Sequence, residues 1–461
     1  MLVLVRLIGP ASYGEFSMVT TIIGFLNVFT SVNFVAHIIQ VREETETRYQ
    51  EHFTASLYLQ LTAFLLTNAV ALALRYSETY LPITPYLHVM SVLFLLTWPH
   101  NLREKMLERS FSWQRLRILH AIGLAAGAVL GIIMAWLGCG TYALLVPGLL
   151  VTLPFIWDLF VSEKWRPTWA WSWDNYKPVF HFAMARTGSG LVLNGRQLLE
   201  VSALTAIFGF TSLGVFSRSL GLAQLFCGKI SSQLVGAIYP LLTRIEEKDG
   251  NTARVSDLLI QAVAWITIPM ATTMAVLAKP AVALMYGDRW LVVVPLVPWA
   301  MAWGVTSALF QTTYMLLLAR NHQRKCLVAD IALFVGTGLA LLVALPFGIT
   351  AYLIAANGVV MVTWFLLLVW LTRMGALTLK GLAGSLGSGV LAAGIAGCFA
   401  TWGGQMTGIS ETTSPLNAAV WGIVFFISYL AVLRILFVGL LDRLVSYLPM
   451  CGTIRQILLV K

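Results

Sequence analysis

Apolar runs of about 20 residues recur along the chain, separated by short polar connections. A run of that length forms a helix able to cross a hydrocarbon core of about 30 Å. Thirteen such spans are predicted, near 17–39, 53–75, 84–102, 117–137, 141–162, 179–207, 214–239, 257–280, 291–318, 327–346, 349–371, 382–402 and 417–440. Inside hydrocarbon the backbone must satisfy its own hydrogen bonds, so many separate runs of this length mean an all-α helical bundle. The strands of a membrane barrel would run about 10 residues with alternating polarity, and no such pattern occurs. The longest hydrophilic stretches, 41–52, 101–117, 163–177 and 241–256, are too short to fold as domains.

Composition strengthens this reading. Of 461 residues, 58% are hydrophobic and only 11% are charged, against about 25% charged in soluble domains. The net charge of +10 would suggest nucleic acid in a soluble protein, but its distribution gives another cause. One set of alternate loops, with the C-terminal tail, holds 21 Lys and Arg: Arg42, Arg48, Arg103, Lys105, Arg109, Arg115, Arg117, Lys164, Arg166, Lys177, Arg244, Lys248, Arg254, Arg320, Arg324, Lys325, Arg373, Lys380, Arg443, Arg455 and Lys461. The other set holds 4: Arg6, Arg75, Lys279 and Arg289. By the positive-inside rule the first set and the C-terminus are cytoplasmic, and nucleic acid is not an expected partner. The five cysteines, Cys139, Cys227, Cys326, Cys398 and Cys451, are scattered without metal or disulfide spacing. No cleavable signal peptide is expected, because the N-terminus lacks a basic segment, an apolar core and a small-residue cleavage site in series.

The chain also carries an internal repeat. Residues 7–17, LIGPASYGEFS, align with residues 207–217, IFGFTSLGVFS: Gly9, Ser12, Gly14, Phe16 and Ser17 match Gly209, Ser212, Gly214, Phe216 and Ser217 at an offset of 200. About one helix further on, Arg42-Glu43-Glu44 is echoed by Arg244-Ile245-Glu246. The second copy is preceded by a full helix and the first by eight residues, so the first helix of the first copy is expected to be cut short. Copies of equal orientation need an even number of helices each, here six. Parallel repeats of this kind mark transporters whose halves rock about a site between them.

At these motifs the chain resembles the polysaccharide transporter (Wzx-type) family of lipid-linked oligosaccharide flippases, especially its colanic acid exporter-like branch. That family belongs to the superfamily that also holds multidrug and toxin extrusion transporters. The resemblance rests on LIGPASYGEFS at 7–17, SLGVFSRSLGLAQL at 212–225, IYPLLTRIEEKDG at 238–250 and the Gly287-Asp288-Arg289-Trp290 turn. It implies fourteen helices, in two parallel six-helix lobes plus a C-terminal pair. On this chain that assigns 1–162 to an N-terminal lobe with most of its first helix missing. Residues 163–178 become a cytoplasmic linker, 179–371 a second lobe, and 372–461 the helix pair and cytoplasmic tail. It further implies a bacterial inner-membrane protein whose partners are lipid-linked oligosaccharide, membrane lipid, and polysaccharide polymerase and chain-length proteins.

A lipid diphosphate with a polar glycan needs a wet, cationic path, whereas intramembrane charge costs about 2.5–3.5 kcal/mol per residue on insertion scales, which makes each such charge a functional candidate. The candidates are Arg186, Arg196 and Glu200 in span 179–207, and Arg218, Lys229 and Gln233 in span 214–239. Arg196 and Glu200 are four apart and can pair on one helix face. Arg218 and Lys229 are eleven apart, which brings them within about 20° of one face of a regular α-helix. Glu200 is read as holding Arg196 in place or as a proton or cation site. Asp330 lies early in span 327–346, where the simpler reading is a helix-end ion pair with Arg324 and Lys325. Arg218, near a helix end, is equally read as snorkelling to the interface. Trp165, Trp169, Trp171 and Trp173 fit an interfacial segment. Dispersed histidines, and the lack of any nucleotide loop, nucleophile motif or catalytic carboxylate pair, predict no metal, no cofactor and no enzyme active site.

Three functions are weighed. The first is flipping of undecaprenyl-diphosphate-linked oligosaccharide. The second is small-molecule antiport of the drug-extrusion type, which the positive cast of the candidate residues disfavours. The third is a membrane-embedded glycan polymerase or ligase, which the short, nearly uncharged loops on the side opposite the basic loops disfavour.

Overall fold

The computed structural model describes residues 2–30, 46–236, 253–406 and 415–440. The Arg42/Arg244 echo, the whole 238–250 motif and the C-terminal tail lie outside them. The described residues are helical with connecting turns and no strand. Eleven helices among them are long and apolar enough to cross a bilayer, so the all-α membrane architecture holds. By internal contacts the chain divides into Met1–Val215 and Phe216–Lys461.

The first unit contains α1 (Leu2–Leu7), α2 (Pro10–Thr30), α3 (Glu46–Leu74), α4 (Thr84–Arg109), α5 (Trp113–Trp136), α6 (Tyr142–Leu150), α7 (Leu153–Trp157) and most of α8 (Trp173–Ala223). Small residues let its helices approach closely, as membrane packing requires. Gly123, Gly127 and Gly131 form one stripe on α5. A Cβ at Gly123 would sit 2.8 Å from the Val151 carbonyl oxygen, and one at Gly127 2.8 Å from that of Pro147. Polar side chains join α3 to α4: Asn68 Nδ2 donates to Ser91 Oγ at 3.0 Å, and Asn68 Oδ1 lies 2.7 Å from His88 Nδ1.

The segment after α7 is extended and strapped to the start of α3. Gln50 grips it through both ends of its amide, donating to the Arg166 carbonyl at 2.8 Å and accepting from Thr168 N at 2.6 Å. Trp165 differs from the other tryptophans of this segment. It is buried, with Phe53, Leu102 and Leu159 forming the cluster it enters. Trp169, Trp171 and Trp173 are exposed. Beyond Trp165 the strap lies at the surface, with residues 166–169 all exposed.

The second unit holds the end of α8, α9 (Ala253–Val276), α10 (Ala278–Tyr286), α11 (Val297–Ala319), α12 (Gln323–Ala344), α13 (Ile349–Arg373), α14 (Leu379–Met406) and α15 (Pro415–Leu436). Helix α9 is its centre, and the last two helices dock on it. Trp265 Nε1 donates to Ser388 Oγ at 2.9 Å, and the Tyr429 hydroxyl donates to the Trp265 carbonyl at 3.0 Å. Asp257 receives the Thr378 hydroxyl at 2.6 Å just before α14 begins.

The predicted spans 179–207 and 214–239 are joined without a loop. They bend within α8 at Gly209, whose φ of 75° and ψ of 175° belong to a backbone region that is essentially glycine's alone. The repeat is visible in the same place. A Cβ on Gly14 would collide with the Phe210 carbonyl, and a Cβ on Gly214 with the Pro10 carbonyl. Positions 14 and 10 in one copy thus meet 210 and 214 in the other. Such a contact, in which i meets j while j meets i, is the signature of a two-fold relation, here between two copies of one motif.

Candidate functional site

Six of the seven candidate residues lie on the two helices that meet at the non-helical Gly209 within α8 and its extension to residue 236, three on each. Arg186, Arg196 and Glu200 precede the bend, and Arg218, Lys229 and Gln233 follow it.

Within the first unit, α2 and α8 run antiparallel past one another. Beyond the Gly14–Phe210 contact, a Cβ at Gly24 would lie 3.7 Å from Asn194 Oδ1, and one at Gly190 3.0 Å from Val28 Cγ1. Residue numbers rise along α2 as they fall along α8. Arg196 is part-buried one turn from Glu200. Among the described residues its buried Nε has no hydrogen-bond partner. A desolvated guanidinium nitrogen without an acceptor is costly, and it is a ready donor to an anion. Arg186 is helical, but its side chain lies outside the described ones.

In the second unit, part-buried Arg218 has its carbonyl 3.4 Å from the Tyr286 hydroxyl, which donates to it. Burial pushes the Tyr286 phenol up, and the neighbouring Arg218 charge pulls it back. The next feature is a π-helical turn, Gln224–Gly228. It inserts one residue into the helical register. Eleven residues with one inserted amount to ten α-helical steps, which turns Lys229 about 80° away from Arg218 instead of about 20°. The burial pattern agrees: Arg218 is part-buried, whereas Lys229 and Gln233 are exposed and share the face beyond the turn.

Asp330 is only 2% exposed. It accepts the Tyr314 hydroxyl at 3.0 Å from α11, while Lys325 Nζ reaches Met374 Sδ at 3.3 Å on another side. It is a buried carboxylate that meets the neighbouring helix through this hydroxyl. Among the described residues no group of His, Cys, Asp and Glu is arranged to hold a metal ion.

Two charged constellations have no counterpart in the sequence reading. Glu15, early in α2, accepts the buried Thr141 hydroxyl. Arg103, counted above with the loop charges, is 4% exposed. Its Nε donates to Asp158 Oδ2 at 2.7 Å and its Nη2 to Glu163 Oε2 at 2.7 Å. Arg115 donates to Asp158 Oδ1 at 2.6 Å from the other side. Asp158 opens a π-helical turn, Asp158–Ser162, and an acidic residue six positions from a loop lysine was the only available signal.

The family described as polysaccharide biosynthesis protein matches residues 3–295. Three curated proteins are similar to this chain. The succinoglycan biosynthesis transport protein ExoT of Rhizobium meliloti is 22% identical over 312 residues, 67% of this chain and 60% of that protein. A membrane protein of the cps region of Klebsiella pneumoniae is 22% identical over 303 residues, 64% of this chain and 61% of that protein. The lipopolysaccharide biosynthesis protein WzxC of Escherichia coli is 21% identical over 330 residues, 69% of this chain and 65% of that protein. The matches thus span less than two thirds of each relative. Among solved structures, the lipid II flippase MurJ superposes with a TM-score of 0.70 at 12% identity, covering 95% of this chain and 97% of its own. A multidrug resistance MATE family transporter superposes with a TM-score of 0.59 at 18% identity, covering 81% and 93%. At these identities the likeness is one of fold.

Proposed function

Because the chain belongs to the polysaccharide biosynthesis protein family, we propose that it is a flippase moving undecaprenyl-diphosphate-linked oligosaccharide from the cytoplasmic to the periplasmic face of a bacterial inner membrane. The polymer served is an exopolysaccharide, capsule or O-antigen, and polymerase and chain-length proteins act after it. The basic loops and the C-terminus face the cytoplasm, and transport proceeds by alternating access.

The observation that carries this reading is the family match together with an unpaired buried Arg196 Nε on a helix of membrane-spanning length. A diphosphate brings at least two negative charges and needs fixed donors along its route. Arg186, Arg196, Arg218, Lys229 and Gln233 supply them on one element. The bend at Gly209 and the π-turn distribute them around it, so a moving headgroup meets donors in succession. Glu200 and Asp330 are the coupling or ion-pair carboxylates. The polyprenyl tail stays in lipid, so only the headgroup needs the polar route. Antiport of cationic drugs would call for a predominantly acidic path, the opposite of this charge pattern.

The test is export. Arg186→Gln and Lys229→Gln should each abolish surface polysaccharide while the protein accumulates normally in the membrane, and Lys229→Arg should retain most of it. Native polymer levels in both neutral variants would sink the proposal.

A further inference from the structure

Residues 164–172 adopt no regular secondary structure, and they follow one face of α3. Gln50, Thr54 and Tyr58 are spaced four apart and share that face. Buried Gln50 holds Arg166 and Thr168 through both ends of its amide. Thr54 Oγ1, also buried, accepts Ala170 N at 3.4 Å. One turn further on, the Tyr58 ring meets Trp169 at 5.8 Å and Trp171 at 6.0 Å between centroids. Trp171 in turn stacks on Trp173 at 6.4 Å, with 22° between the planes. The strap thus tracks α3 over about 12 Å. Lys164, where it begins, has a φ of 55°, a left-handed conformation that a side chain adopts only where its surroundings impose it. Trp169 is 70%, Trp173 60% and Tyr58 51% exposed.

Two properties set this row of rings apart from a lipid-facing surface. An extended backbone leaves N–H and C=O groups that its own residues do not satisfy, and such backbone is tolerated against protein or water but not against bare hydrocarbon. The exposed side of the strap is therefore wet. The rings are also fixed in place. An aromatic anchor among lipid headgroups needs only an amphipathic ring, whereas here a buried amide and a buried hydroxyl hold the backbone that carries the tryptophans. Further along α3 the exposed large residues are aliphatic: Leu61, Leu65, Leu66 and Leu72. A patch of large apolar rings held in water marks a binding surface. Sugar is the ligand class whose chemistry fits it. One face of a pyranose presents partly positive C–H groups, which sit on the negative face of an aromatic ring. Its hydroxyls keep their hydrogen bonds to water and to the exposed Arg166 and Thr168.

From this geometry we infer that the row Trp169, Tyr58 and Trp173 is a glycan-binding platform, on which sugar rings of the lipid-linked headgroup stack before translocation. The identity of that glycan rests on the flippase reading. The strap lies in the 163–177 stretch, one of the basic loops, so the platform is on the side from which the headgroup enters in that reading. Its contribution is to hold the sugar, while the arginines and lysine of α8 and its extension meet the diphosphate.

Saturation-transfer difference NMR on the purified full chain tests the inference. The detergent is dodecylphosphocholine, which carries no sugar. The probe is the repeat-unit oligosaccharide of the host's surface polysaccharide, freed from its lipid carrier by mild acid. Irradiating the aromatic resonances of the protein should transfer saturation to the sugar ring protons. Trp169→Ala combined with Trp173→Ala, both at exposed positions, should weaken the transfer about tenfold. Trp169→Tyr should keep most of it, and Trp136→Ala, at an exposed ring on α5, should leave it unchanged. No transfer from the native chain would overturn the platform, as would undiminished transfer in the double variant. Lipid as the occupant would show in nanodiscs of phosphatidylcholine brominated on its acyl chains. Quenching of tryptophan fluorescence there that falls with Trp169→Phe and Trp173→Phe would place the rings in lipid and refute the sugar assignment. These measurements read binding alone. Native export in the Arg186→Gln and Lys229→Gln variants would therefore strike the flippase reading and leave an observed sugar contact standing, whereas lost export with no saturation transfer would strike the platform alone.

Discussion

Arg103 and Asp158 show how burial changes the meaning of a charge. An exposed ion pair is worth little, and Glu163, at 46% side-chain exposure, is the outer partner in the network. Asp158, at 6%, is held between two guanidinium groups. Asp158→Asn leaves Arg103 buried with its main counter-charge gone, a loss of about 3–5 kcal/mol. Glu163→Gln should cost less than about 1 kcal/mol. Thermal unfolding in detergent, followed by tryptophan fluorescence, distinguishes the two, and equal midpoints would refute the ranking. In the sequence Arg103 sits in a run of basic residues and reads as a loop charge. Nothing local reveals that a carboxylate 55 positions later reaches it. The same applies to Asp330, whose Tyr314 hydroxyl donor on the preceding helix is not foreseen from the sequence around it.

Among the elements, α8 is the informative one. Its length hides two local departures from regular geometry, the Gly209 bend and the π-turn at Gln224–Gly228. Gly209→Ala must place a Cβ in a conformation that side chains avoid, at a cost of about 1–3 kcal/mol or a lost bend. The reciprocal glycines are more sensitive still. Gly14→Ala and Gly214→Ala each drive a Cβ into a backbone carbonyl that has no side chain to rotate aside. Both should lower stability and transport together, whereas Gly24→Ala, with 3.7 Å of clearance, should be near neutral. Unfolding midpoints and polymer output measured side by side check this, and a Gly14→Ala variant as stable as Gly24→Ala would contradict the contact. Motif and offset were legible because a repeated turn needs repeated small residues. The π-turn was not, because one inserted residue leaves no compositional trace.

At the scale of the molecule, the direction of the chain through the membrane is the first quantity to measure. Loop charge puts the α5–α6 turn, with Cys139, on the side opposite the basic loops. In a variant keeping only Cys139, a membrane-impermeant maleimide should label intact spheroplasts. Moving the single cysteine to the exposed position 166 by Arg166→Cys should require permeabilised cells. The reverse pattern would invert the topology and with it the direction of transport proposed here.

The amino-acid sequence by itself determined the solvent of this protein, its helical class, its loop asymmetry and its repeat, together with the residue types that a phosphate-bearing substrate requires. These follow from run length, composition and self-similarity, all of which are properties of neighbours along the chain. Only the tertiary structure decided that Trp165 turns into the core while Trp169 stays outside, that Arg218 and Lys229 point in different directions, and that Arg103 closes on Asp158. Each of those outcomes depends on a partner remote in sequence or on a single backbone torsion, and neither is encoded in the periodicity of one helix.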